Sequence, residues 1–221
     1  MVRLLEARGA VAAAAREVYA AGLVQGTAGN VSMRDEESGL IAITPSALAC
    51  DSLEPRDVAL VDVEARLIEG RYAPSSETPM HAEVYRRMPW VHGVVHTHSI
   101  YATTLACLGR PIEPVHYLIA LVGERIPVAP YATYGTREIG QNAVDSFGDG
   151  LAVLLAQHGV LAIGHSLKEA IRVAATTEFV AEVYYRTLAL GQPHLIPRDE
   201  LRRLKERFAG YSPLPVTGSG L

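Results

Sequence analysis

The sequence predicts a single-domain α/β/α sandwich in which a largely antiparallel sheet is covered by helices. Three observations predict it. Short apolar runs closed by Gly or Pro recur along the chain, helical segments fall between them, and the spacing of the runs is that of hairpins rather than of long parallel crossovers. A chain of 221 residues with 49% in the hydrophobic set is long and apolar enough for one sizeable core.

The elements follow in order. The opening MVRLLEARGAVAAAAREVYAAG is Ala-rich, but Glu6, Arg8, Arg16 and Glu17 interrupt it before a signal-peptide core or a membrane span can form, which leaves an amphipathic first helix. In GLVQGTAGNVSMRDEESGLIAITPSAL the residues Gly26, Gly29 and Asn30 punctuate the chain, so a loop is expected, followed by a hairpin of strands at 31–33 and 40–44. Further strands are expected at 58–63, 93–98, 126–129, 152–156 and 160–163. The clearest helix runs from Ser166 to about Leu190: Ser166 and Glu169 form an S-x-x-E capping box, and Gly191 with Gln-Pro stops it. Other helices are expected over 79–87, 101–108, 137–147 and 199–208. No internal repeat is visible, and the tail SPLPVTGSGL has turn and linker composition, which divides the chain into a domain over 1–211 and a loosely held tail over 212–221.

Charge and cysteine usage narrow the function classes. A net charge of −4, from 20 basic and 24 acidic residues without a Lys/Arg-rich run, argues against nucleic acid as a partner, and no apolar stretch argues for a membrane. Cys50 and Cys107 lack CxxC spacing, so neither a disulfide framework nor a zinc-thiolate site is expected; the pattern suits a reduced, cytoplasmic protein.

The run WVHGVVHTHSIYATT holds the most informative signal. Side chains alternate faces along a strand, so His96 and His98 share a face while Thr97 points away. Such a pair can ligate a metal, or hydrogen-bond and face water at a strand end. A third imidazole is available in LAVLLAQHGVLAIG, where His158 precedes Gly159 at a turn between strands. Three histidines are the protein ligands of a catalytic zinc site that keeps one position open. In APSSETPMHAEVYRR, Glu77 stands just before Pro79 at a helix start, either as a first-turn carboxylate favouring the helix dipole or as a fourth ligand that acts as base once displaced. Ser75 and Ser76 precede the same helix, where hydroxyls and free N–H groups suit an anion such as phosphate; GTAGN at 26–30 and TPSA at 44–47 supply further small residues and donors.

Taken together, GLVQGTAGNVS, LIAITPS, PSSE, VVHTHS, VHYLIA with IPVAPYATYGTREI, and LLAQHGVLA resemble the class II aldolase/adducin family, and within it the fuculose-phosphate aldolase branch, over nearly the whole chain. The resemblance implies one Zn2+ per subunit on His96, His98 and His158, with Glu77 as resting-state ligand and catalytic acid/base. It implies a phosphate site that includes Asn30, Ser46, Ser75 and Ser76, a proton donor at Tyr117, and a C-terminal tyrosine matched by Tyr211. It also implies a homotetramer with active sites between subunits, acting on a small sugar phosphate: reversible cleavage of a ketose 1-phosphate, L-fuculose 1-phosphate or a related 5-deoxy sugar, into dihydroxyacetone phosphate and a small aldehyde such as lactaldehyde. One departure stands out: the turn that reads Thr-Gly in that branch is Ser46-Ala47 here, and the added methyl restricts φ and crowds the approach of backbone to phosphate.

Rival readings come from the same superfamily, namely a pentulose-phosphate 4-epimerase, a methylthioribulose-phosphate dehydratase or a sugar-acid phosphate decarboxylase. SSETPMH leans towards the epimerase, whose motif carries Asp where Glu77 stands, whereas HYLIA and the longer Glu77 side chain favour the aldolase. An adducin-like interaction module would have no need of the four ligand candidates. A cupin would need a glutamate soon after HxH, where this chain reads SIYATTLACLG. His81, His92, His116, His165 and His194 are left as structural or surface residues.

Overall fold

The structure is a computed structural model and describes residues 4–209. Tyr211 and the tail expected at 212–221 lie outside the described residues. The first helix, α1 (Leu5–Ala20), leads to a hairpin of β1 (Asn30–Arg34) and β2 (Ile41–Ile43), then β3 (Ala59–Val61) and β4 (Leu67–Glu69). Next come α2 (Thr78–Arg87), β5 (Gly93–Thr97), α3 (Ile100–Cys107), β6 (Val128–Ala129), α4 (Arg137–Ser146), the hairpin β7 (Ala152–Leu155) and β8 (Gly159–Gly164), and finally α5 (Leu167–Leu190) and α6 (Arg198–Ala209).

The described strands form one sheet in the order β4-β3-β2-β1-β5-β8-β7-β6, antiparallel throughout except for the β6–β7 pair. Alternation sorts its residues to two cores. Val31, Val95, Val160 and Ala162 pack with α1, α3 and α5 on one face; Val94, Leu161 and Ile163 pack with Met80, Val84 and Tyr85 of α2 and Ile139 and Ala143 of α4 on the other. The sandwich expected from the sequence is therefore present, with each sheet face covered.

Local signals explain most boundaries. Ser166 caps α5 by accepting the Glu169 N–H, while the Glu169 carboxylate reaches one residue further back than a capping box requires and accepts from the His165 N–H at 2.8 Å. The strand missing from the sequence reading is β4. Its three residues are all exposed and its two apolar side chains, Leu67 and Ile68, are adjacent rather than alternating, so no period-2 pattern betrays it; it is held at the sheet edge by its pairing with β3 and by Glu69, which accepts from the buried Arg8 guanidinium of α1 at 2.6 Å. Arg8 also donates to the Val58 carbonyl, which ties α1 to the start of β3.

Candidate active site

The strand register assembles the site. Asn30 of β1 lies opposite His96 of β5, so Asn30, Ser32 and His96 all project from the sheet face that α2 covers. His98 continues the alternation just past the end of β5, where the chain turns into α3. That turn is pinned from α5: the Glu178 carboxylate accepts from the N–H groups of Tyr101 and Ala102 at 2.9 and 3.0 Å, a negative group at a helix N-terminus. His158 arrives from the β7–β8 turn. A Cβ on the following Gly159 would stand 2.3 Å from the Thr97 carbonyl and 3.3 and 3.4 Å from the rings of His98 and His96, so only glycine lets β8 bring His158 this close.

Glu77 occupies the N-cap position of α2, yet its side chain makes no capping hydrogen bond. It turns inward and is buried, placing Oε2 3.1 Å from His96 Nε2 and Oε1 3.1 Å from His158 Nε2. His96 Nε2 and His98 Nε2 are 2.9 Å apart, and the three rings stand edge-on to one another with centroids 4.8 to 4.9 Å apart. The four ligand atoms all lie within 4.8 Å of each other. In a tetrahedral site with bonds of about 2.1 Å, ligand atoms sit about 3.4 Å apart, so these groups surround a centre of metal size.

The donor chemistry fits a cation. His96 Nδ1 lies 2.8 Å from the Val160 carbonyl and must donate to it, which turns Nε2 into the cluster, as in metal-ligating histidines oriented by a backbone carbonyl. Glu77 Oε1 is buried with no hydrogen-bond donor, a cost that a cation removes. Burial alone would raise the Glu77 carboxyl, but the charge of His96, together with the His158, His96 and Asn30 side chains that face its oxygens, outweighs this and holds it far below the usual carboxylate range. Burial, followed by the charges of His96 and His158, pushes His98 down to about 4, so its imidazole is a neutral ligand at pH 7.

The cluster closes one end of a cavity of about 350 Å³. Of the residues expected around phosphate, Asn30, Ser46, Ala47, Ser75 and Ser76 all line it. Ser75 Oγ accepts from the Glu77 N–H at 3.2 Å, and Ser46 Oγ donates to the Pro74 carbonyl at 2.9 Å, so both serines stiffen the turns that form the wall. Asn30 is shared with the metal end: its Nδ2 donates to Glu77 Oε2 at 2.8 Å. Ala47 has φ +57°, the left-handed conformation in which a Thr-Gly turn would place glycine. Gly29 (φ +121°) sets up the turn into Asn30, where a Cβ would fall 2.5 Å from Val24 Cγ1.

Tyr117 is not brought to this cavity. It lies in a 3-10 turn over Tyr117–Leu121, 47% exposed, with its ring stacked on Phe208 at 5.9 Å. Two residues of the cavity and one buried behind its wall escaped the sequence reading. Tyr131 and Tyr134 form the rim, and the α4 start that follows them is anchored by Arg137, which donates to the buried Glu83 of α2 at 2.8 Å. His81, taken as structural, is fully buried and contacts Asn30 directly. Its place one helical turn after Glu77 was the available signal.

The comparisons with known proteins agree with this geometry. Residues 9–185 match the family described as class II aldolase and adducin N-terminal domain. The chain is 41% identical over 94% of its length to the 5-deoxy-D-ribulose 1-phosphate aldolase of Bacillus thuringiensis serovar kurstaki, covering 98% of that protein. It is 43% identical over 90% of its length to the 5-methylthioribulose-1-phosphate/5-deoxyribulose-1-phosphate aldolase of Rhodospirillum rubrum, covering 89% of that protein. A solved structure of an L-fuculose 1-phosphate aldolase superposes with a TM-score of 0.89 at 35% identity, over 92% of this chain and 96% of that one. The chain belongs to the class II aldolase and adducin family, and these relatives are aldolases.

Proposed function

We propose that the protein is a zinc-dependent aldehyde-lyase that reversibly cleaves a 5-deoxy-ketose 1-phosphate, 5-deoxyribulose 1-phosphate or its 5-methylthio analogue, into dihydroxyacetone phosphate and acetaldehyde or its methylthio derivative. The observation that carries this reading is the buried Glu77/His96/His98/His158 cluster at one end of a cavity whose wall is built from Ser46, Ser75 and Ser76. The substrate class rests on the relatives named for those two sugars, and L-fuculose 1-phosphate is the neighbouring choice.

His96, His98 and His158 would hold the ion, with Glu77 as the fourth ligand before substrate arrives. When bound, the ion would supply Lewis acidity to the ketose. The remaining work belongs to the chain. Ser75, Ser76, Ser46, the Ala47 backbone and Asn30 hold the phosphate and so place the reacting carbons beside Glu77. In cleavage, the C4 hydroxyl gives its proton to a tyrosine, the C3–C4 bond breaks, and Glu77, displaced from the imidazoles by substrate and protonated from solvent, delivers that proton to C3 of the three-carbon fragment; in synthesis Glu77 removes it again.

The proton on the aldehyde oxygen is assigned to Tyr117, assisted by Tyr211. Since Tyr117 is half-exposed and outside its own cavity, it serves the site of an adjacent copy, in a cytoplasmic homotetramer with active sites between subunits. Among the described residues no helix is long and apolar enough to cross a membrane. An adducin-like role without catalysis would leave the orphaned Glu77 oxygen and the converging imidazoles unexplained.

The test is metal analysis with a retro-aldol assay on a panel of ketose 1-phosphates. One zinc per chain, and dihydroxyacetone phosphate released fastest from the 5-deoxy pentuloses, is the expected result. Epimerisation or dehydration of the panel without release of that product would overturn the reading.

A further inference from the structure

We infer that His81 is a positioning residue that orients the Asn30 amide, and that it does so through a chain of hydrogen bonds running in one direction from the α2–β5 core to the cavity. The inference rests on the reading above of Asn30 as a group that meets substrate.

The contacts are continuous. Tyr85 OH lies 2.9 Å from Ser32 Oγ, Ser32 Oγ lies 2.6 Å from His81 Nδ1, His81 Nε2 lies 2.5 Å from Asn30 Oδ1, and Asn30 Nδ2 lies 2.8 Å from Glu77 Oε2. His81, Ser32 and Tyr85 are all buried, so each polar atom must be satisfied within the chain.

Direction follows from the ends. An ionised carboxylate can only accept, so Asn30 must present its NH2 to Glu77 and its carbonyl to His81. That carbonyl needs a donor, which makes His81 the Nε2–H tautomer. Its Nδ1 is then an acceptor, because the ring is wholly buried and its two partners, a hydroxyl and an amide carbonyl, carry no charge to hold a second proton. Ser32 O–H therefore donates to Nδ1, and Ser32 Oγ accepts from the Tyr85 O–H. No link can reverse without leaving a buried group unpaired.

The consequence concerns which face of an amide meets substrate. A free Asn side chain shows NH2 and C=O with similar ease, and a carbonyl turned into the cavity would repel both a carboxylate and a phosphate. With His81 holding Oδ1, the NH2 faces the cavity in every state: it serves Glu77 when the site is empty and is available to the substrate's oxygens once Glu77 moves to the carbon.

Two measurements test this on the zinc-loaded protein. The first is the His81 tautomer, read from long-range proton–nitrogen NMR of histidine-labelled wild-type protein near neutral pH; the neutral Nε2–H form is expected, and the Nδ1–H form or an imidazolium would overturn the inference whatever the enzyme acts on. The second compares His81→Phe with His81→Gln, whose amide can still donate to Asn30 Oδ1. His81→Phe should keep wild-type zinc content, lower kcat by about 10–100-fold and raise KM for the phosphorylated ketose, the scale of a lost supporting group. His81→Gln should recover most of both. A fall in kcat alone with unchanged KM, or equal losses in the two variants, would show a merely structural histidine. If His81→Phe does not fold, the tautomer and the near-wild-type KM expected of His81→Gln decide the matter. Wild-type protein that cleaves no ketose phosphate but shows the Nε2–H tautomer would instead refute the proposed function and leave the amide orientation standing.

Discussion

The two ends of the cavity are built on different principles. At the metal end every group sits on, or directly beside, a regular element: Asn30 and His96 face each other across paired strands, His98 follows the end of β5, Glu77 begins α2, and the polar groups behind them are buried. At the proposed phosphate end the groups sit on turns: residues 26–29, 45–47 and 75–76, with Ala47 in the left-handed region and Ser76 exposed. Rigid strands hold the atoms whose separations decide the chemistry, while turns present N–H and hydroxyl donors whose summed pull on an anion tolerates small displacements. Perturbing the first end should therefore abolish function, and perturbing the second should grade it.

The largest effect is expected from His158→Ala. Removing one of three neutral imidazoles should empty the site of metal and reduce cleavage by well over the about 10–100-fold that loss of a supporting group costs, while circular dichroism stays that of the wild type. Metal content per chain checks it, and full occupancy with wild-type rate would take His158 out of the site.

The phosphate end comes next. Charge-assisted hydrogen bonds contribute roughly 1.5–3 kcal/mol each, so substrates without phosphate should lose about a hundredfold or more in kcat/KM. Ser75→Ala and Ser76→Ala should each narrow that gap. Equal specificity constants for matched phosphorylated and unphosphorylated ketoses would reduce the SSE segment to a helix start.

A smaller effect concerns acid. His81 is neutral when folded, with its pKa lowered from 6.5 to about 3, so the folded state resists a proton that the unfolded chain takes up. The stability present above pH 6.5 should thus be lost as pH falls towards 3, at about 1.4 kcal/mol per unit from this group. His98, pushed down to about 4, adds a loss of the same sign below pH 6.5, and the lowered Glu77 carboxyl adds another below pH 4.5. Denaturant unfolding of metal-stripped protein across that range measures it; a flat profile between pH 6.5 and 4.5 would contradict a neutral buried His81.

The smallest effect belongs to Ala47→Gly. A left-handed alanine costs about 1–2 kcal/mol and glycine gives back about 0.4–1 kcal/mol through the unfolded chain, so a net gain of about 0.5–1 kcal/mol is expected. In a chain of this size that is a rise of about 2 °C in Tm. A fall in Tm would mean that the turn gains more from the methyl than it loses in φ.

The same contrast explains what the sequence disclosed. Alternation and punctuation placed His96, His98 and His158, and Pro79 marked the helix that Glu77 begins, because these depend on local rules. Whether Glu77 caps that helix or faces the histidines depends on the missing capping bond and on the approach of β8, neither of which is local. The strand β4 stayed hidden because it is three residues long and its Leu67 and Ile68 are adjacent and exposed, with no alternation to mark a face. The spacing from Glu77 put His81 on the same side of α2, but its role was not legible, since its partners Asn30 and Ser32 reach it only through the β1–β5 register. Tyr117 is the reverse case: the motif named it, yet within one chain it packs on Phe208 away from the cavity.

The central claim is that Glu77 moves a proton to and from carbon beside the three histidines. Exchange of the hydroxymethyl proton of dihydroxyacetone phosphate into heavy water, with no aldehyde present, isolates that step. The account predicts stereospecific exchange by the zinc-loaded enzyme, none by the metal-stripped enzyme, and a fall of about 100-fold or more in Glu77→Gln that still binds appreciable metal. Exchange at the wild-type rate in Glu77→Gln would contradict it.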